Sequence, residues 1–124
     1  MSGPDEIETL FAKALKTARR REPRRDMSAN CFVVIEGNKF RLSNLSPTGF
    51  HASGYQGELA TNQAFPAEIT IRDESFEFVV KAKAAVVRID KAGLAAKIVT
   101  MGRQQRKRID AYFSHHFPWL KERR

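Results

Sequence analysis

Between residues 29 and 101 the chain repeats one pattern: a short β-rich run, a turn signal, and a second run that returns. Phe32-Val33-Val34-Ile35 leads into Glu36-Gly37-Asn38 and then into residues 39–45, which reads as a hairpin. After a turn at Ser46-Pro47-Thr48, Gly49-Phe50-His51-Ala52 makes a further short strand, and residues 55–66 read as an irregular loop. Ala67, Ile69 and Ile71 alternate with polar residues, Arg72-Asp73-Glu74-Ser75 turns the chain, and Phe76, Phe78 and Val80 resume the alternation. That strand is predicted to run to Val86 or Val87, and residues 94–101 return after a turn at Asp90-Lys91-Ala92-Gly93. A flat sheet of so few short strands would expose one apolar face and two edges. An antiparallel barrel hides both, and a chain of 124 residues supplies one modest core to fill it.

Helical patterns flank this region. Ile7, Leu10, Phe11, Ala14 and Leu15 form one stripe of a 3.6-residue period, so residues 1–18 are predicted to be an amphipathic helix. Pro23 must end it, because the residue before a proline is pushed out of the α region. Residues 103–124 read as a basic helix and tail, with Ile109, Tyr112 and Phe113 on one face and Arg103, Arg106, Lys107 and Arg108 around it. Pro118 ends or interrupts that helix. Its apolar part is expected to pack on the open end of the barrel, with Trp119 partly covered.

Composition removes several classes of function. The apolar runs are too short to span a bilayer, and residues 1–6 lack the basic cap and apolar stretch of a secretory leader. The single cysteine, Cys31, cannot form an internal disulfide and is expected to be a small buried hydrophobe. A reducing cytosol is therefore the expected setting. No metal site is expected: His115 and His116 are adjacent on a helix and point about 100° apart. No catalytic residues are expected either, since the carboxylates are scattered and nothing orients a base beside Ser114. What remains is charge. The net charge is +8, of which residues 31–100 hold only +1, so the positive charge sits on the flanks. Such a chain attracts polyanions: nucleic acid, acidic lipid, a phosphorylated small molecule or an acidic protein.

Two short segments narrow that choice. Arg19-Arg20-Arg21-Glu22-Pro23-Arg24-Arg25 places five arginines in seven residues, where a helix must stop and a strand has not begun. The guanidinium fork grips phosphate or the O6/N7 edge of guanine with two parallel hydrogen bonds, and it also stacks on bases. A solvated basic linker and an arginine-rich RNA-binding stretch fit the same run. About twenty residues later, Asn44-Leu45-Ser46-Pro47-Thr48-Gly49 ends a strand in polar groups, with Gly49 free to take φ > 0 or to allow close backbone approach.

Together these segments resemble the PilZ domain family, marked by RxxxR before the first barrel strand and [D/N]xSxxG at the end of the next. RxxxR is met by Arg20 and Arg24, the favoured register, and again by Arg21 and Arg25; the second motif is Asn44, Ser46 and Gly49. The resemblance covers residues 19–101 and implies a small six-stranded antiparallel barrel, here spanning 19–102. It implies a non-enzymatic receptor whose ligand is cyclic di-GMP and whose binding shifts conformation. Arg20 and Arg24 would clasp phosphates and guanine edges, with Arg21 and Arg25 assisting. Asn44 and Ser46 would bond a guanine or its phosphate, and Gly49 would keep the rim open. Asn44 stands where many members carry aspartate, and Arg25 where many carry an aromatic. Val86-Val87-Arg88 offers no aromatic to stack on a base, which leaves Arg88 as the candidate. A downstream protein of the flagellar or secretion apparatus would read the signal, with bacterial motility as the expected process. Two other readings compete: an RNA-binding β-barrel, and a PilZ-like scaffold that no longer binds the nucleotide.

Overall fold

The computed structural model describes residues 23–119. Along the chain these form β1 (Arg25–Asp26), β2 (Phe32–Ile35), β3 (Asn38–Ser46), β4 (Gly49–Ser53), β5 (Ala64–Asp73), β6 (Phe76–Asp90), β7 (Gly93–Met101) and α1 (Arg103–His116). The helix expected over residues 1–18 lies outside the described residues.

All strand pairings are antiparallel, and six strands close a ring in the order β3-β2-β5-β6-β7-β4. Closure comes from β3, which pairs β2 through Phe32↔Arg41 to Ile35↔Asn38 and β4 through Arg41↔Ser53 to Ser46↔Gly49. The two-residue β1 is the seventh strand. It lies beside the far end of β3, with Arg25 opposite Leu45 and Asp26 opposite Asn44.

Alternation sets the interior. Val33 and Ile35 of β2, Leu42 and Leu45 of β3, Ile69 and Ile71 of β5, Val80 of β6 and Leu94 of β7 have no exposed surface. Burying a side chain of this size contributes about 1.5–3 kcal/mol. The longest strand departs from the expected bounds. β6 continues past Val87 to Asp90 because its first half pairs β5 and its second half pairs β7. Register shifts at Lys83/Ala84 and Val86/Arg88 bend it around the barrel, as bulges do. β5 likewise starts at Ala64, earlier than its alternation suggested.

The irregular loop is pinned from within. The buried Tyr55 hydroxyl donates to Glu36 Oε1 at 2.6 Å and accepts from the Leu59 N–H at 3.3 Å. Cys31 is fully buried, as expected, and also polar in use: its Sγ accepts from the Arg72 N–H at 3.3 Å, tying β2 to β5. Helix α1 buries the predicted face, Ile109, Tyr112 and Phe113. The Phe117 N–H donates to the Phe113 carbonyl at 2.7 Å as the helix ends.

Candidate functional site

The pairing of β1 with β3 brings Arg24 and Arg25, the described end of the arginine-rich run, to the polar end of β3. Successive side chains on a strand point to opposite faces. Arg24, one residue before β1, turns outward, and its Nη1 donates to Asn44 Oδ1 at 3.1 Å. Arg24 and Asn44, twenty residues apart in sequence, thus share one rim. Beside them opens a groove of about 820 Å³ lined by Pro23, Arg24, Asn44, Ser46, Thr48, Gly49, Phe50, His51, Val87, Arg88, Ala95, Ala96, Lys97, Phe117 and Trp119.

Each strand contributes for a local reason. The β3–β4 hairpin turns on Pro47 and Thr48, and Ser46 Oγ serves the turn: it accepts from the Thr48 N–H at 3.4 Å and donates to the Gly49 carbonyl at 3.4 Å. Gly49 does not use a positive φ. A Cβ there would lie 2.7 Å from the Ala96 carbonyl oxygen, so glycine is needed for the close approach of β7. The Ile98 N–H donates to the Thr48 carbonyl at 2.7 Å, and Arg106 of α1 donates to the Pro47 carbonyl. The turn is held from β7 and from the helix. On β4, His51 Nδ1 meets Ser43 Oγ at 2.5 Å. On β6, Arg88 Nε donates to Asp90 Oδ2 at 3.0 Å. The Ala92 N–H first, and then the Arg88 guanidinium, hold the Asp90 carboxyl below the usual carboxylate range.

Chemically the groove offers three cations (Arg24, Arg88 and Lys97), a histidine, polar groups on Asn44, Ser46 and Thr48, and the rings of Phe117 and Trp119. Among the described residues, no carboxylate lines it. Cations beside aromatic rings suit an anion that carries flat rings, with Arg88 alone of the three shown paired to a carboxylate, Asp90.

Of the residues expected at the site, Arg24, Asn44, Ser46, Gly49 and Arg88 all line this groove. Arg20 and Arg21 lie outside the described residues. Arg25 takes the other face of β1. Its Nε donates to Tyr112 Oη at 3.0 Å and lies 3.8 Å from Asp73 Oδ2, against α1 instead of in the groove. Sequence reading missed His51 and Lys97 as groove residues. Alternation turns both outward, but only the β4–β7 register, Gly49↔Lys97 and His51↔Ala95, shows that they meet.

Three solved structures share this arrangement of strands. The Bacillus subtilis inhibitor of motility, MotI/DgrA, superposes with a TM-score of 0.62 at 16% identity, over 76% of this chain and 48% of that one. YcgR from Escherichia coli, in complex with c-di-GMP, gives 0.61 at 19% identity, over 85% and 49%. The barrel is PilZ-like. A Legionella uncharacterized protein, Lpg0364, has the same fold at a TM-score of 0.57 and 9% identity, over 80% of this chain and 98% of that one. This chain spans about half the length of MotI/DgrA and of YcgR. No family model matches its sequence, and no curated protein matches it.

Behind the PilZ-like rim, Arg25 joins a second polar cluster. Tyr112 Oη donates to Asp73 Oδ2 at 2.5 Å, and His116 Nε2 lies 3.8 Å from the same oxygen. Arg25, Asp73, Glu74, Tyr112 and His115 surround His116. Burial, and then the Arg25 charge, push its imidazole below the ordinary histidine range against the pull of Asp73. The folded chain therefore binds that proton less readily than the unfolded chain does. This part of the stability is complete above the unfolded value of about 6.5 and declines as pH falls below it, levelling once the folded imidazole also protonates. Urea unfolding at about pH 8 and about pH 5.5 checks this. The wild-type midpoint is expected to fall at the lower pH, and the His116→Phe midpoint to fall less. An equal decline in both would assign the acid sensitivity to other groups.

Proposed function

We propose that this protein is a cyclic di-GMP receptor that acts by binding and conformational change, without catalysing a reaction. The observation that carries the reading is the Arg24–Asn44 contact, which joins the arginine-rich segment to the β3 rim beside a groove of cations and rings. A neighbour of the same fold, YcgR, is seen in complex with c-di-GMP, which supports the choice of ligand. Two phosphates would meet Arg24, Lys97 and Arg88, and the guanine edges would meet Asn44 and the rim. Arg20 and Arg21, which precede Arg24 in sequence, would add further forks.

Each charge-assisted hydrogen bond contributes roughly 1.5–3 kcal/mol, against about 1–2 kcal/mol for each residue that binding must fix. Several contacts must act together, and a Kd near micromolar, about −8 kcal/mol, is the expected scale. Signalling requires that the ligand favour one arrangement over another. Arg24 faces the groove while Arg25 holds α1 through Tyr112, so a shift of one residue reaches the other. In this reading α1, or the segment before residue 23, presents the changed surface to a downstream protein. A motility process fits best, given the likeness to an inhibitor of motility. The action would be in the bacterial cytosol; no helix among the described residues is long and apolar enough to cross a membrane.

Isothermal titration of the full chain tests the proposal. Cyclic di-GMP is expected to bind saturably, and an excess of GMP, GTP or cyclic AMP is expected not to displace it. No heat with cyclic di-GMP would leave a PilZ-like scaffold. Comparable binding of single-stranded RNA with a steep salt dependence would make the arginines a general polyanion surface.

A further inference from the structure

The barrel's own ring on the groove, Phe50 of β4, is buried, and the exposed indole of Trp119 does not come from the barrel. It comes from the segment after α1. Phe117 stacks on Phe113, with ring centroids 6.1 Å apart and planes at 26°. Phe113 is fully buried under the helix. The Phe117 N–H to Phe113 carbonyl bond fixes the backbone at the same point. Trp119 then stands edge-on to Phe117, centroids 6.3 Å apart and planes at 80°. The indole is thus carried on a braced support, and it still keeps 38% of its surface exposed while lining the groove. The same groove is lined by Arg24, just before β1, Arg88 of β6 and Lys97 of β7.

We propose that Trp119 is the base-stacking platform of the groove, holding one guanine ring of the bound dinucleotide flat against its indole. The role expected of Arg88 from sequence passes to this residue. Arg88 is already engaged with Asp90. The inference rests on the cyclic di-GMP reading and adds the residue that selects for a flat base. Phosphate contacts alone would accept any small polyanion; a ring wall rejects those without a base. A docked base would also weld the end of α1 to the barrel rim, which couples the helix to occupancy.

Trp119 is the only tryptophan in the chain, so its fluorescence reports on one position. Cyclic di-GMP is titrated into the full chain, the Trp119→Phe variant and the Trp119→Ala variant, by calorimetry in all three and by indole emission in the wild type. Emission is expected to change saturably with the calorimetric midpoint. Trp119→Ala is expected to weaken binding about tenfold or more, and Trp119→Phe, which keeps a ring, to lose much less. Wild-type binding with unchanged affinity in Trp119→Ala would overturn the inference and leave the receptor reading standing. Tighter binding in Trp119→Ala would overturn it too, by making the indole a cover over the groove. No binding by the wild type would overturn both.

Discussion

Arg24→Ala is expected to reduce affinity for cyclic di-GMP by about 100-fold or more while leaving the melting temperature unchanged. A guanidinium that makes two charge-assisted bonds to phosphate or guanine supplies roughly 3–6 kcal/mol of contact, and each 1.4 kcal/mol is a factor of ten. Little in the fold depends on the side chain: it is exposed, and its contact with Asn44 is a surface one. The neighbouring Arg25→Ala variant should behave in the opposite way. Arg25 is bonded to the buried Tyr112 and sits beside Asp73, whose side chain is only 8% exposed. Removing it strips a cation from a desolvated carboxylate, so stability falls by about 1–3 kcal/mol while affinity changes little. Calorimetry and urea unfolding on the two variants separate the roles. Equal affinity in Arg24→Ala and the wild type would end the receptor proposal. A larger affinity loss in Arg25→Ala than in Arg24→Ala would mean that the arginine register is shifted by one residue.

That contrast shows where sequence reading reaches its limit. The strands of residues 32–53 were legible because alternation and turn residues agree: Val33 and Ile35 point inward, and Gly37 takes the positive φ that its turn requires. Arg24 and Arg25 are the same residue type in adjacent places, and only the pairing of Asp26 with Asn44 settles which of them faces the rim. The length of β6 was hidden for a related reason. Its two halves answer to different partners, and the bulges that reconcile them interrupt the period-two pattern a reader relies on. Sequence places Trp119 with the tail's apolar packing on the open barrel end, partly covered. Its place on the groove wall depends on where α1 docks, which no local pattern records. Gly49 was legible as a needed glycine, yet for two alternative reasons. The approach of the Ala96 carbonyl, and not a left-handed backbone, is the one that applies.

The largest effect on stability is expected at another glycine, Gly93. It begins β7 at the tight turn from β6, opposite Asp90 on one side and Ser53 of β4 on the other. Its φ is +137°, a region that residues with a Cβ rarely adopt, and a Cβ there would collide with the Ala52 carbonyl oxygen and lie 2.9 Å from the Gly54 nitrogen. Both obstacles are backbone, so neither can swing aside. Relief requires β4 and β7 to separate, and that seam is one of the six that close the ring. Gly93→Ala should therefore cost about 3–4 kcal/mol, the sum of backbone strain and a steric clash, out of the 5–15 kcal/mol typical of a small domain. Gly37→Ala is the matched control. Its φ is +80°, but nothing lies within 4 Å of the added Cβ. Strain alone then applies, about 1–2 kcal/mol. Urea unfolding of the two variants beside the wild type measures the difference. A similar loss in both would show that β4 and β7 yield easily at their turn, and that ring closure contributes less to stability than the backbone geometry requires.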